Sequence, residues 1–302
     1  MNLSIKIKNL ILKNPVMTAS GTFGYGQENA EFFDLSLLGA VVVKGLSIKP
    51  SLGNPPPRIW ETPCGMLNSI GLQNIGVAAF IKDKLPWLRQ FDTKIIANFY
   101  GNDISEFVEV ARVLSEAGID ALEMNVSCPN KQAGWIAFGT DPDMLARVVS
   151  EVRKVTELPL IVKLSPNVTD ITMLAKTAMD AGADALSLIN TLTGMAIDIE
   201  TKKPRLSNVI GGLSGPAIRP VAIKMVYQVH KAMADVPIIG MGGILNGADA
   251  VEFMLAGATG VAVGTANFID PAASVKVLDG IVEYMKRRHI DDINDLIGGV
   301  II

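Results

Sequence analysis

Cysteine and histidine are scarce in this 302-residue chain, which holds two of each. Cys64 and Cys128 can form at most one disulfide, and they are too few for a zinc site or an iron–sulfur cluster built on four cysteines. His230 falls in the helical pattern "IKMVYQVHKAMAD" and His289 in the basic stretch "KRRHIDD", so both read as helix-end or surface residues. A basic block is missing as well. With a net charge of −3, the chain shows no electrostatic footprint for nucleic acid or for an anionic membrane surface. No apolar run approaches the roughly 18 residues of a membrane span, and the opening "MNLSIKIKNLILKNP" alternates polar with apolar residues, unlike a signal peptide. A cytoplasmic protein acting on small molecules or proteins is the expectation, with no nucleic acid and no membrane among its partners.

What is present is a series of short apolar runs, each ending in a polar or glycine-rich turn. They are "NPVMTASG", "GAVVVKG", "KIIANFYG", "ALEMNVS", "LPLIVKLSP", "ALSLINT", "VPIIGMGG" and "GVAVGTA". Runs apolar on both faces fit parallel strands covered by helices. Helical patterns lie between many of them. In "ISEFVEVARVLSEAG", Phe107, Val110, Ala111 and Leu114 share one face and Gly118 supplies the stop. An internal echo in "SEAGIDALEMNVS", "MDAGADALSLINT" and "MLAGATGVAVGTA" repeats a helix end, an Ala-Gly turn and a buried strand. Eight βα units, one for each apolar run, predict an α/β fold, the (β/α)8 TIM barrel, as one domain over residues 1–302. The alternative, an open doubly wound sheet, lacks its "GxGxxG" turn. Two segments exceed a minimal barrel. "LSIKIKNLILKNP" reads as an N-terminal hairpin plugging the barrel bottom, and "KPSLGNPPPRIWETPCGMLNSIGLQN" as a long insertion after the second strand that is a candidate lid.

In barrels the chemistry sits at the C-terminal strand ends. Those ends carry Ser20 with Gly21, Lys44, Asn98, Asn125 with Cys128, Lys163 with Ser165, Asn190 with Thr191, Gly242 with Gly243, and Gly264 with Thr265. Two lysines, three asparagines and one thiol, without histidine or carboxylate, are poor ligands for a hard or borderline metal. Asparagine amides pair donor with acceptor and match the imide and amide edges of a flavin or a pyrimidine. The glycine pairs suit a phosphate near helix N-termini. Lys44 and Lys163 stand inside apolar strands, where an ammonium is costly without an anionic or electron-rich partner. Their residues leave two chemistries open, charge stabilisation of a reduced flavin or a Schiff base at Lys163 in a non-redox lyase. A non-catalytic module binding a phosphate ligand is a third reading.

The motifs "NPVMTASGTFGYG", "GNPPPRIWETPCGMLNSIGLQN", "NVSCPN" with "AFGTDP", "VKLSPNVTDI", "INT", "GGLSGPAIRPVAIK", "PIIGMGG" and "AVGTANF" occur in order along the chain. Together they resemble the catalytic subunits of the NAD-linked dihydroorotate dehydrogenases. The resemblance implies an FMN-containing (β/α)8 barrel that oxidises dihydroorotate to orotate in pyrimidine biosynthesis, with one FMN per chain. It implies Cys128 as the catalytic base. It carries FMN contacts onto Ser20, Lys44, Gly45, Asn98, Asn125, Lys163, Ile189, Gly215, Gly242, Gly243, Gly264 and Thr265. Substrate contacts fall on Lys44, Asn68, Ser69, Ile70, Gly71, Leu72, Asn125, Asn190 and Thr191. Trp135 stands in the Cys128 loop where the family pattern is richer in glycine, and Cys64 reads as structural. The resemblance further implies a homodimer and a separate electron-transfer subunit carrying FAD and an iron–sulfur cluster, forming a heterotetramer that passes electrons to NAD. A fumarate-linked single-subunit dihydroorotate dehydrogenase is the related alternative.

Overall fold

A run of apolar residues can form a strand buried on both faces only if helices cover one side and other strands' side chains fill the other. The computed structural model describes residues 1–126 and 138–302, and in it all eight runs do this. The barrel strands are β1 (Val16–Thr18), β2 (Ala40–Leu46), β3 (Lys94–Phe99), β4 (Ala121–Asn125), β5 (Leu160–Lys163), β6 (Ala185–Leu188), β7 (Ile238–Met241) and β8 (Gly260–Val263). Each pairs in parallel with the next, and β8 returns to β1, closing the barrel. The pairing of β2 with β3 slips between Val43 and Leu46, a bulge that falls on Lys44 and Gly45. Bulges re-aim side chains at barrel rims, and this one lies where chemistry was expected.

The outer layer holds the helices α1 (Ile104–Glu116), α2 (Pro142–Arg153), α3 (Ile171–Asp180), α4 (Arg219–Ala232), α5 (Gly247–Leu255) and α6 (Ala273–Arg288). Between β2 and β3 the chain is helical over Val77–Ala79, Phe80–Lys84 and Leu85–Leu88, the middle piece being a π turn. Asp103, Asp141, Asp170 and Asn246 cap α1, α2, α3 and α5, each accepting a main-chain N–H of the first turn. The buried face of α1 consists of Phe107, Val110, Ala111 and Leu114, as its spacing predicts. The internal echo has a conformational cause. Gly118, Gly182 and Gly257 follow their helices at φ of 80°, 109° and 117°, a region that a side chain disfavours, so each Ala-Gly turn stops a helix and points the chain into the next strand.

At the N-terminal end of the barrel the hairpin forms as expected, Ile5–Ile7 pairing with Leu10–Leu12. Ile5, Ile7 and Leu12 turn inward and are buried, with Ile5 against Gly260 at the start of β8. Asp184, just before β6, ties this end together. It accepts from the Leu160 N–H and pairs with Arg153 at 2.8 Å and with Lys8 of the hairpin at 3.2 Å.

The opposite, C-terminal mouth is covered by the insertion after β2, which forms the antiparallel strands Ile59–Thr62 and Gly65–Asn68. A second excursion, between β6 and α4, was not singled out from the sequence. It supplies Leu192–Met195 and Ile210–Ser214, and the four strands make one antiparallel sheet in which Ile210–Ser214 joins Gly65–Asn68. Arg205 of this excursion stacks 4.1 Å over the Trp60 ring and pairs with Asp198 at 2.5 Å. No helix among the described residues is long and apolar enough to cross a membrane.

Candidate active site

The strand ends and the sheet above them enclose a cavity of about 340 Å³. Ser20 after β1, Lys44 and Gly45 in the β2 bulge, Asn98 in β3, Asn125 at the end of β4 and Lys163 at the end of β5 all line it. So do Ile189, Asn190 and Thr191 after β6, Gly242 and Gly243 after β7, and Gly264 and Thr265 after β8. From the covering sheet and the segments that directly follow its strands come Asn68, Ile70, Gly71, Leu72 and Gly215. Of the described residues expected at the strand ends and the lid, Ser165, whose hydroxyl accepts from Asn167, and Ser69 do not line the cavity, and Ser69 is turned away from it. It is fully buried, and its hydroxyl and carbonyl accept from the Asn54 amide at 3.0 and 3.2 Å, so it fastens the lid and does not face the cavity. Cys128 and Trp135 lie outside the described residues. Cys64 is exposed at the turn between Ile59–Thr62 and Gly65–Asn68, away from the cavity lining, and its carbonyl accepts from Ala217 N–H at 2.9 Å.

The floor of the cavity is polar and interlocked. In β4 the period of two sends Ala121, Glu123 and Asn125 inward. Glu123, 1% exposed, accepts from Asn98 Nδ2 at 2.6 Å on Oε1 and from Ser187 Oγ at 2.7 Å on Oε2. Lys163 Nζ stands 3.8 Å from Glu123 Oε1 and 3.5 Å from Ser20 Oγ. At 3.8 Å the pair is electrostatic rather than a direct hydrogen bond. A carboxylate was not among the expected site residues. The signal was available in "ALEMN", where a charged residue interrupts an apolar strand in the same way as Lys44 and Lys163 do.

Higher in the cavity, Asn190 Nδ2 donates to Asn125 Oδ1 at 3.2 Å, and Asn190 Oδ1 accepts from Thr191 N–H at 2.8 Å. Asn167 Nδ2 donates to the Thr191 carbonyl at 3.0 Å, and Asn68 Nδ2 to the Gly212 carbonyl at 3.2 Å. The amides are thereby oriented before any ligand arrives. Lys44 differs from Lys163. Burial holds its pKa below the ordinary lysine value, the nearby Arg58 guanidinium adds to the depression, and Glu28 opposes it only in part. An ammonium so placed favours an anion.

One corner of the cavity is made of main chain. Gly215, Gly242 and Gly243 have φ of 94°, 129° and 77°, and Thr265 Oγ1 donates to Ser214 Oγ at 2.9 Å beside them. At Gly264 a Cβ would only reach ordinary contact with Ala19, at 3.4 Å, so no packing clash demands the glycine there. Behind the corner, Asp249 completes the capping box of α5 by accepting from the Leu245 and Asn246 N–H groups, and it pairs with Arg219. Main-chain N–H groups without side chains, close to helix starts, suit a phosphate. Met66, Ile218, Met241 and Phe268 complete an apolar wall. The donor set therefore fits FMN: a glycine corner for its phosphate, an apolar wall for its ring face, and amides with two ammonium groups for the polar ring edge.

Comparison with known proteins agrees with this chemistry. A profile of the family described as "Dihydroorotate dehydrogenase" matches residues 2–285. The protein "Dihydroorotate dehydrogenase B (NAD(+)), catalytic subunit" of Alkaliphilus oremlandii is 61% identical over 297 residues, covering 98% of both chains. Proteins of the same description from Geotalea daltonii and Thermoanaerobacter sp. (strain X514) are 57% and 55% identical over 300 residues, covering 99% of this chain and 98% and 99% of theirs.

Proposed function

The chain belongs to the dihydroorotate dehydrogenase family, and on that premise we propose that it oxidises dihydroorotate to orotate in pyrimidine biosynthesis as the catalytic half of an NAD-linked enzyme. The observation that carries the proposal is the convergence on one cavity of Lys44, Lys163, Asn98, Asn125 and Asn190 from five different barrel strands or strand ends. That set matches a flat, imide-bearing, anionic substrate beside a flavin better than it matches a metal or a sugar. FMN, when bound, supplies the acceptor for the hydride that leaves the substrate.

The protein's own residues do the rest. Lys44 attracts the anionic substrate, because its partly buried ammonium is short of compensating charge. Asn68, Asn125, Asn190 and Thr191, held by the hydrogen bonds described above, fix the ring edge, and Ile70, Gly71 and Leu72 close over it and exclude water. Cys128 follows β4 in sequence and is assigned the proton on the substrate carbon, a thiol being far easier to deprotonate than a serine hydroxyl. Pro129, next in the sequence, lacks a main-chain N–H. Ser20, Lys163, Gly45, Ile189, Gly215, Gly242, Gly243, Gly264 and Thr265 join Lys44, Asn98 and Asn125 as the residues that hold FMN, one per chain, in a single domain of residues 1–302. The family assignment removes the reason for reading Lys163 as a Schiff-base lysine.

The electron path out of the chain is the second half of the proposal. Two cysteines cannot build a four-cysteine cluster, and the sequence carries no dinucleotide fingerprint. The relatives are described as catalytic subunits, which fits a partner that carries FAD and an iron–sulfur cluster and docks on a homodimer of this chain in the cytoplasm. The test is NADH formation. This chain alone with dihydroorotate and NAD should form NADH at no catalytic rate, and adding the electron-transfer subunit should start it. Sustained NADH production by the isolated chain would refute the division of labour, and rapid turnover with fumarate would place the chain in the single-subunit type.

A further inference from the structure

Glu123 has no part in the chemistry assigned so far, yet among the described residues it is more deeply buried than any other ionisable group of the site. Burying a carboxylate is costly unless donors surround it, so its retention inside a barrel calls for a physical account. The register supplies one. Glu123 lies opposite Asn98 across β3 and β4, and one inward step further along β4 Asn125 lies opposite Lys163. The carboxylate thus sits directly beneath the residues that face the cavity, touching Asn98 through Oε1, Ser187 through Oε2, and Lys163 across 3.8 Å.

Two consequences follow from these contacts. Because Asn98 commits Nδ2 to Glu123, its amide cannot flip without losing a charge-assisted bond, and Oδ1 is held on the β2 side, where a Cβ on Gly45 would come within 2.7 Å of it. Asn98 Oδ1 is therefore held as an acceptor on that side, which suits an imide N–H of a ligand. The second consequence is electrostatic. Lys163 brings a positive charge to the cavity floor, and Glu123 places a negative charge behind it, shielded from solvent, so the field reaching a ligand is the difference of the two.

Resting on the flavin reading above, we propose that Glu123 is a positioning residue that tempers the charge of Lys163 and locks Asn98 as an acceptor, and thereby sets the reduction potential of the bound flavin. Reduction adds electron density to the ring system, so a net positive floor favours the reduced form and a compensated floor favours it less. Glu123 keeps the potential low enough for electrons to leave.

The experiment is anaerobic equilibration of the reconstituted holoprotein with an indicator dye of known potential. Glu123→Gln, which keeps the shape and removes the charge, should raise the ratio of reduced to oxidised flavin at fixed potential about tenfold, a shift of about 30 mV for a two-electron couple. Adding Lys163→Met to that variant should return the ratio to within about threefold of the starting protein. A purely structural Glu123 would lower the melting temperature or the FMN affinity and leave the ratio alone, so a change below twofold in a folded, yellow Glu123→Gln protein overturns the proposal. If that variant does not fold, Ser187→Ala takes its place. Stripping one donor from Oε2 leaves more of the carboxylate charge unscreened and should lower the ratio about threefold, and no change there equally overturns it. A starting protein that takes up no flavin would sink the functional reading itself, and this is seen before any variant is made.

Discussion

Gly71 is the position where one methyl group should separate binding geometry from folding. It lies in the lid segment that lines the cavity, at φ 74°, and is followed by Leu72 at φ 59°. A Cβ built on Gly71 would stand 2.5 Å from the main-chain nitrogen of Asn54 and 2.5 Å from its Cγ. The nitrogen cannot give way cheaply, because Asn54 N–H donates to the Ile70 carbonyl at 3.0 Å and clasps the two loop arms together. Gly71→Ala therefore imposes roughly 1–2 kcal/mol for a side chain in the left-handed region. It also forces a loop displacement of about 1 Å to reach ordinary contact distance. Weakening the Asn54–Ile70 bond adds about 1 kcal/mol. A total of about 2–3 kcal/mol against the closed loop corresponds to a loss in kcat/KM on the order of 10²-fold, the size expected when a clamped substrate shifts by about 1 Å. The strain falls on the mouth and leaves the barrel interior intact, so the melting temperature should drop by only a few degrees and flavin content should hold. Steady-state rates with dihydroorotate and an artificial electron acceptor, with orotate affinity from flavin difference spectra, report both quantities. A kcat/KM within threefold of the starting protein, with orotate binding unchanged, would refute the assignment of this loop as a substrate clamp.

Orotate affinity should fall on the alkaline side as Lys44 loses its proton. Because burial and Arg58 hold the Lys44 pKa below 10.5, the fall should set in at lower pH than an ordinary lysine allows, while Lys44→Arg should bind almost evenly through that range, and a flat profile with lysine present contradicts the role. Phe107, 1% exposed, packs edge-on against Phe99 and Phe138 at 6.0 and 5.4 Å, so Phe107→Ala should destabilise the fold by roughly 3–5 kcal/mol. Denaturant unfolding checks this, and a loss under about 1 kcal/mol would mean that α1 packs less tightly than described. Cys128→Ser should keep flavin and orotate binding and lose most turnover at neutral pH, whereas the exposed Cys64 should tolerate serine with little change in rate. A loss of only a few-fold at Cys128, or a collapse at Cys64, would reverse the two assignments.

The barrel was legible because its signals are local. Eight apolar runs with their glycine stops define strands, and the left-handed turns at Gly118, Gly182 and Gly257 explain why the echo is visible in the letters. The lid sheet was not, since Asn68 meets Gly212 across 144 residues and nothing in "GMAIDIETKKPRLSNVIGG" marks that pairing locally. Ser69 shows the limit of carrying a motif over residue by residue. Alternation along an extended segment turns every second side chain away, and Ser69 points to Asn54 while its neighbours Asn68 and Ile70 line the cavity. Glu123 was missed for a different reason. Its charge lies one step inside the barrel from the strand ends, although the cost of burying it is the same one that marks Lys163.

The most direct test of the central claim is an anaerobic titration of the purified, FMN-reconstituted chain with dihydroorotate, followed by absorbance. The protein should be yellow, and its flavin band should bleach in proportion to added dihydroorotate, reaching completion near one equivalent per chain, with orotate appearing in equal amount. A colourless protein that cannot take up FMN, or a flavin that stays oxidised in excess dihydroorotate, would contradict the claim.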